Sequence, residues 1–280
     1  MRYLAVLAAL ALPLAPALAQ EGGAPAPTAP AAPVAPKPAA LIADGMPEVP
    51  AELASATRPY MENRGAGFVG WNPVDKSMLI ATRFGNTSQI HRVAMPMGAR
   101  QQLTFEEEPV GGAAWSPKTA DIMLLQKDIG GNEFYQIYAM KNGRLELLTD
   151  GKSRNGLNSW SKDGSLVAYT STRRNGRDSD IYLMDPRDPK TTRMIAEVEG
   201  GGWGVSDIAP DKSWALVGKY ASVQKVDLFR LDLTSGQMTP IGDHKKSIAH
   251  GGGIFAPDGT IWGNSDEGSD FQRLGTLEPK

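Results

Sequence analysis

From about residue 70 onward, apolar and polar positions alternate in short bursts rather than at helical spacing, and the bursts recur. Each unit opens on a large apolar residue followed two places later by Pro or Lys, then a polar turn, then an apolar run. The starts are Trp71-Asn72-Pro73, Trp115-Ser116-Pro117, Trp160-Ser161-Lys162, Ile208-Ala209-Pro210 and Phe255-Ala256-Pro257, separated by 44, 45, 48 and 47 residues. A period of this length built only from strands predicts the blades of a β-propeller rather than helical repeats. The third unit shows the plan best. Trp160 closes a first strand, Ser161-Lys162-Asp163-Gly164 turns the chain with Gly where positive φ is needed, and Leu166–Thr170 is a second strand. Ile181–Met184 and Arg193–Ile195 follow as third and fourth strands. Four short antiparallel strands cannot bury both faces alone, so sheet must stack on sheet around an axis. The repeated tryptophan is then expected to fill space between neighbouring blades rather than to bind a ligand.

The fifth unit offers only three strands, Gly253–Phe255, Thr260–Gly263 and Phe271–Leu277. The one N-terminal segment that could supply a fourth, Leu41–Met46, makes a poor strand. The fold class expected is therefore all-β: a propeller with four complete four-stranded blades and most of a fifth, incomplete as a ring. Blade starts fall near residues 66, 111, 156, 204 and 250 within a propeller region spanning 65–280.

The front of the chain has a different character. Arg2, the apolar stretch Leu4–Leu18 and Ala17-Leu18-Ala19 predict a signal peptide over 1–19, cleaved after Ala19, and a periplasmic or secreted product. Residues 20–40 are nearly all Ala and Pro, the composition of an extended, disordered tether. Residues 41–64 form an N-terminal extension with a short helix that Pro59 is expected to break or curtail. Composition narrows the chemistry. Charge nearly cancels, 29 basic against 31 acidic residues, which gives no basic surface for nucleic acid. The absence of cysteine excludes disulfides, thiolate metal sites and a cysteine nucleophile. No apolar segment is long enough to span a bilayer.

Trp160-Ser161-Lys162-Asp163-Gly164-Ser165-Leu166-Val167-Ala168-Tyr169-Thr170-Ser171 with Asp180–Asp185 resembles the repeat of TolB-like propellers and of the N-terminal propeller of prolyl oligopeptidase-family serine peptidases. Thr82–Ile90, Asp128–Phe134 and Ser265–Leu274 are more similar to the peptidases, specifically to exported bacterial acylaminoacyl- and dipeptidyl-peptidase-like members. The resemblance covers about residues 41–280. It implies that the propeller caps an α/β-hydrolase domain carrying a Ser-Asp-His triad, and that acidic propeller residues can bind a substrate's free amino end. This chain carries no catalytic residue by that criterion. The nearest approaches to a nucleophile elbow, Gly151–Asn155 and Gly263–Glu267, lack the second Gly. The expectation is a gating and positioning propeller that does not itself hydrolyse peptides. Its partners would be a peptide substrate and the catalytic domain; the alternative is a non-enzymatic TolB-like propeller that binds a protein.

Strand alternation sends the loops between second and third strands to one face of the propeller. That places Arg83, Asp128, Glu133, Arg173, Arg174, Arg177, Asp266 and Glu267 together as candidate substrate or interface residues, with Glu133 the best candidate for an amine. Other motifs read as chance or structure. Gly65–Gly70 matches a dinucleotide fingerprint but runs into a strand end instead of a helix. Ser159–Lys162 and Ser222–Lys225 fit Ser-x-x-Lys outside helical context. His91, His244 and His250 lack the convergent carboxylates of a metal site, so no metal and no cofactor is expected.

Overall fold

The computed structural model describes residues 33–277. The expected signal peptide and residues 20–32 of the Ala/Pro stretch lie outside the described residues. Two compact units divide between Asn63 and Arg64.

In the first unit, a single antiparallel bridge joins Val34 to Pro50, and α1 spans Ala51–Met61. Leu41–Met46 forms no strand. Pro59 does not break α1 but sits inside its last turn. It lacks an N–H to give to the carbonyl four residues back, a loss easily tolerated where α1 buries no residue and ends two positions later.

The second unit is a five-blade propeller of antiparallel sheets. Blade 1 contains β1 (Gly67–Trp71), β2 (Met78–Thr82), β3 (Gln89–Val93) and β4 (Arg100–Gln102). Blade 2 contains β5 (Gly112–Trp115), β6 (Met123–Lys127), β7 (Gln136–Lys141) and β8 (Arg144–Leu147). Blade 3 contains β9 (Asn155–Trp160), β10 (Val167–Ser171), β11 (Asp180–Asp185) and β12 (Asp188–Ala196). Blade 4 contains β13 (Trp203–Ile208), β14 (Trp214–Ser222), β15 (Lys225–Asp232) and β16 (Met238–Ile241). Blade 5 has three strands, β17 (His250–Phe255), β18 (Ile261–Ser265) and β19 (Arg273–Thr276). Every blade pairs its strands in chain order.

The second strand of each blade shows how the alternation becomes a core. In β2, Leu79 and Ala81 pack against Met123 and Leu125 of blade 2. Leu124 of β6 faces the other way, onto Val167 and Tyr169 of blade 3. Ala168 of β10 joins Ala215 and Val217 of blade 4, and Leu216 of β14 meets Ile261 of blade 5. A period of two thus gives each blade a leading face toward its successor and a trailing face toward its predecessor. The apolar residue that opens each repeat always belongs to the trailing face. Trp115 is cross-strand from Met123, Trp160 from Val167, Ile208 from Ala215 and Phe255 from Ile261, and each packs in the cluster shared with the preceding blade. Trp71 stands at the same position beside Met78, yet it is 60% exposed.

Tight turns join first to second strands on one face of the propeller. Asp75, Asp163, Asp211 and Asp258 each accept a hydrogen bond from the amide two residues on, at 2.8–3.0 Å. At Gly164 φ is +74°, and an added Cβ would lie 2.9 Å from Ser116 Oγ of blade 2. Ion pairs tie these turns across blades: Lys212 to Asp163 at 2.5 Å, Lys162 to Asp207 at 2.6 Å and Arg187 to Asp121 at 3.0 Å.

Candidate binding face

The opposite face gathers the loops between second and third strands and the connectors that lead from one blade to the next. It carries all the candidate residues. The strands below fix it through a repeated polar brace. Gln89 opens β3 and Gln136 opens β7; the side-chain carbonyl of each accepts from a threonine hydroxyl, Thr104 at 2.8 Å and Thr149 at 2.7 Å. The same threonine oxygens accept the amides of Ile90 and Ile137, and the glutamine carbonyls also accept the Glu106 and Gly151 amides. In blade 3, Asp180 takes the glutamine's place and accepts the Val198 amide.

Glu133 sits at the tip of the β6–β7 loop. Gly130, Gly131 and Glu133 all adopt positive φ, 64°, 74° and 60°. That unusual conformation for a glutamate is held from inside: its amide donates to Asp128 Oδ2 at 2.8 Å, and the Phe134 amide donates to Asn132 Oδ1 at 2.9 Å. Asp128 is only 5% exposed, so it braces the loop while the Glu133 carboxylate projects to solvent. Beside the loop, the Arg154 guanidinium lies 5.2 Å from the Phe134 ring centroid. Lys127 lies below it, buried between Glu106 at 2.9 Å and Glu108 at 3.1 Å. Burial alone would favour neutral Lys127, but the two carboxylates outweigh it and its pKa rises. Glu108 is held below the usual range, chiefly by its bond to Lys127.

The three arginines of blade 3 have separate tasks. Arg173 spreads over the rings of Tyr182 and Tyr169, 4.9 and 5.7 Å from their centroids. Arg174 Nε donates to buried Asp180 at 2.7 Å, and Nη1 lies 2.9 Å from Glu197. Its Nη2 donates to Asp178 and to the Val198 carbonyl. Those carboxylates, Asp180 first, raise the arginine's pKa further. Arg177 donates through Nε to Asp178 Oδ1 at 2.9 Å, and that bond, with Asn175 and the Gly200 amide, pushes the Asp178 pKa well down. Arg177 keeps most of its side chain in solvent. Arg83 is exposed where the β2–β3 loop begins. Asp266 accepts the Ala249 amide at 2.8 Å, Glu267 is exposed, and their loop borders a cavity of about 540 Å³ with Ser269, Asp270, Phe271 and Arg273.

The face therefore sorts the predicted residues into braces (Asp128, Arg174, Asp266), an arginine packed on aromatic rings (Arg173) and groups open to solvent (Glu133, Arg83, Arg177, Glu267). The Lys127–Glu106–Glu108 cluster and the glutamine braces escaped sequence reasoning. A signal for the braces was present: Gln-Ile at the start of β3 and β7, and Leu-Thr just after β4 and β8. His91 is buried and bonded through Nδ1 to the Gln89 carbonyl at 3.1 Å; His244 Nε2 lies 2.9 Å from the Leu228 carbonyl. His250 opens β17, and burial lowers its pKa despite Glu267 and Asp266 nearby. Among the described residues no group of three His, Cys, Asp or Glu is placed to hold a metal ion, and no helix is long and apolar enough to cross a membrane.

Comparison with known proteins places the chain among β-propellers. No family model matches the sequence, and no curated protein does. Solved structures do match. A putative TolB from Agrobacterium tumefaciens is similar with a TM-score of 0.53 at 17% identity, over 72% of this chain and 69% of that one. A prolyl endopeptidase is similar with a TM-score of 0.60 at 11% identity, over 81% of this chain and 38% of that one. An oligogalacturonate lyase from Vibrio parahaemolyticus is similar with a TM-score of 0.59 at 13% identity, over 77% of this chain and 63% of that one. At such identities the shared property is the propeller fold.

Proposed function

We propose that the chain is the N-terminal propeller of an exported prolyl oligopeptidase-like serine peptidase, and that its loop face gates and positions peptides for a separate α/β-hydrolase domain. The observation that carries this reading is Glu133: an exposed carboxylate locked at positive φ by buried Asp128, flanked by Phe134 and Arg154. A carboxylate carried on a braced backbone next to an aromatic residue suits the free ammonium group of a short peptide and an apolar side chain beside it. In the whole enzyme, an activated serine on the hydrolase domain would form the acyl-enzyme, and the propeller would admit and orient the substrate. The arginines Arg83, Arg173 and Arg177 on the same loop face would serve as substrate or domain contacts.

Binding of short fluorescent peptides tests it. Free-amine peptides should bind at least roughly tenfold more tightly than their N-acetylated forms, and Glu133→Gln should abolish the difference. Equal binding of both forms, or none, contradicts the reading. Export has its own check: the secreted chain should begin at Gln20 by N-terminal sequencing.

A second reading, a TolB-like propeller that binds a protein partner without catalysis, draws support from the comparable share of both chains matched to the putative TolB. Continuation of the reading frame beyond Lys280 into further blades and a Gly-x-Ser-x-Gly motif favours the first reading. A stop codon there, with a folded soluble product, favours the second.

A further inference from the structure

Where the connector from blade 2 enters blade 3, the loop face brings two arginines together. The Arg154 amide donates to the Thr172 hydroxyl at 3.1 Å, and the Thr172 amide donates to the Arg154 carbonyl at 3.0 Å. That pairing sets Arg154 beside the start of the loop that carries Arg173. Each guanidinium lies over aromatic rings, Arg154 over Phe134 and Arg173 over Tyr182 and Tyr169. Among the described residues neither forms an ion pair. Arg173 is half-buried, and its Nε is sealed from solvent with no hydrogen-bond partner among them. The acids of this region are already engaged. Asp178 and Asp180 pair with Arg177 and Arg174. Asp150 accepts the Ser153 hydroxyl at 2.6 Å and the Ser153 and Lys152 amides at 3.0 and 3.1 Å. Ring faces hold a guanidinium while leaving its N–H edge free, and that edge matches a planar acceptor with two oxygens. The site sits over the contact between blades 2 and 3, where Ile122, Leu124 and Ile137 pack against Tyr169 and Tyr182, so it is internal to the propeller.

We propose that Arg173, with Arg154 beside it, binds a carboxylate of the peptide that Glu133 holds by its amino end. This deepens the peptide-positioning reading and rests on it. Phe134 and Arg154 link the two charges: Phe134 follows Glu133 in the chain, and Arg154 joins the Phe134 ring to Thr172 and Arg173. A peptide laid along this run meets an acid at one end and two bases at the other, which fixes its direction on the face. Its carboxylate is either the C-terminus or an acidic side chain, and both present the same flat anion to the guanidinium edge. Arg174 and Arg177 cannot serve in the same way, because their own carboxylates occupy them.

Binding of short fluorescent peptides to the 280-residue chain tests it. A peptide with a free C-terminus is compared with its C-terminal amide, and each with a version in which an internal Gln becomes Glu. One of the two carboxylates should tighten binding at least roughly tenfold, and the one that does names the source. Arg173→Gln should remove that gain and leave the preference for a free over an acetylated amine intact. Glu133→Gln should do the reverse. Arg154→Gln should cut the carboxylate gain at least roughly threefold. Thermal melts that match wild type establish folding. Should Arg173→Gln unfold, Arg173→Lys keeps the charge without the flat fork and should also cut the gain at least roughly threefold. The proposal is overturned if neither carboxylate tightens binding, or if the gain survives Arg173→Gln, even where the amine preference stands. A carboxylate gain without any amine preference overturns the Glu133 reading alone, and no binding of any peptide overturns both.

Discussion

Tyr169 and Tyr182 in blade 3 and Ile80 and His91 in blade 1 hold the same cross-strand positions on the trailing face. In blade 3 the two rings stack at 5.4 Å, Arg173 covers them, and blade 2 supplies Ile122, Leu124 and Ile137 against them. Among the described residues no blade precedes blade 1, and the cover there is local. Phe84, four residues beyond Ile80 as Arg173 is beyond Tyr169, lies 5.3 Å from the His91 ring, and Arg64 sits 5.1 Å from Phe84 in turn. His91 and Ile80 are buried while Phe68 and Trp71 stay exposed. The same strand plan thus gives a core residue or a surface residue according to its neighbours. In a repeat fold, stability belongs to the interfaces as much as to the repeats.

The contrast can be broken in four ways, beginning with the largest expected effect. Tyr169→Ala should lower unfolding free energy by about 3–5 kcal/mol, because a buried ring leaves a cavity between two blades. Phe68→Ala, removing a ring of similar size from an exposed face, should cost under about 1 kcal/mol in a urea titration. Gln136→Ala should cost about 1–3 kcal/mol, since it strands the Thr149 hydroxyl and the Gly151 amide that its carbonyl now satisfies.

Acid should act alike on four of the five blades. Asp75, Asp163, Asp211 and Asp258, one in each of blades 1, 3, 4 and 5, have pKa values below the ordinary 3.8. The leading causes are a hydrogen bond from Ser77 for Asp75, from Lys212 for Asp163, from the Ser213 amide for Asp211 and from the Thr260 amide for Asp258. Depressed carboxylates stabilise the fold above their unfolded pKa and lose that contribution as pH falls through the folded one. Thermal melts should therefore be level with respect to these groups above about pH 5 and fall progressively below about pH 4. Asp258→Asn should show the smallest effect, a slight flattening of that acid limb measured by the same melts.

Much of the fold was legible because a period of two and turn chemistry are local properties. The strands Met78–Thr82 and Ile181–Met184 and the positive φ of Gly164 follow from their own few residues. Less legible were properties set by neighbours 20 or more residues away. Trp71 opens its repeat as Trp160 does, yet Trp160 packs in the cluster shared with blade 2 while Trp71, with no blade packed against it among the described residues, is 60% exposed. Asp128 and Glu133 look alike as loop acids, yet one is turned inward to bind the other's amide. Arg174 looked like a surface charge because its partners Asp180 and Glu197 fall on other elements of the blade. The helix around Pro59 is short, as expected, but unbroken, because proline near a helix C-terminus loses a single bond that an exposed helix can spare.

The central claim is that one position per repeat, always on the trailing face, seals each blade to the blade before it. Alanine substitutions at Trp71, Trp115, Trp160, Ile208 and Phe255, compared by urea unfolding at a concentration where the chain is monomeric, test it most directly. Losses of roughly 2–4 kcal/mol at the last four and under about 1 kcal/mol at Trp71 are expected. Equal losses at all five would contradict the account.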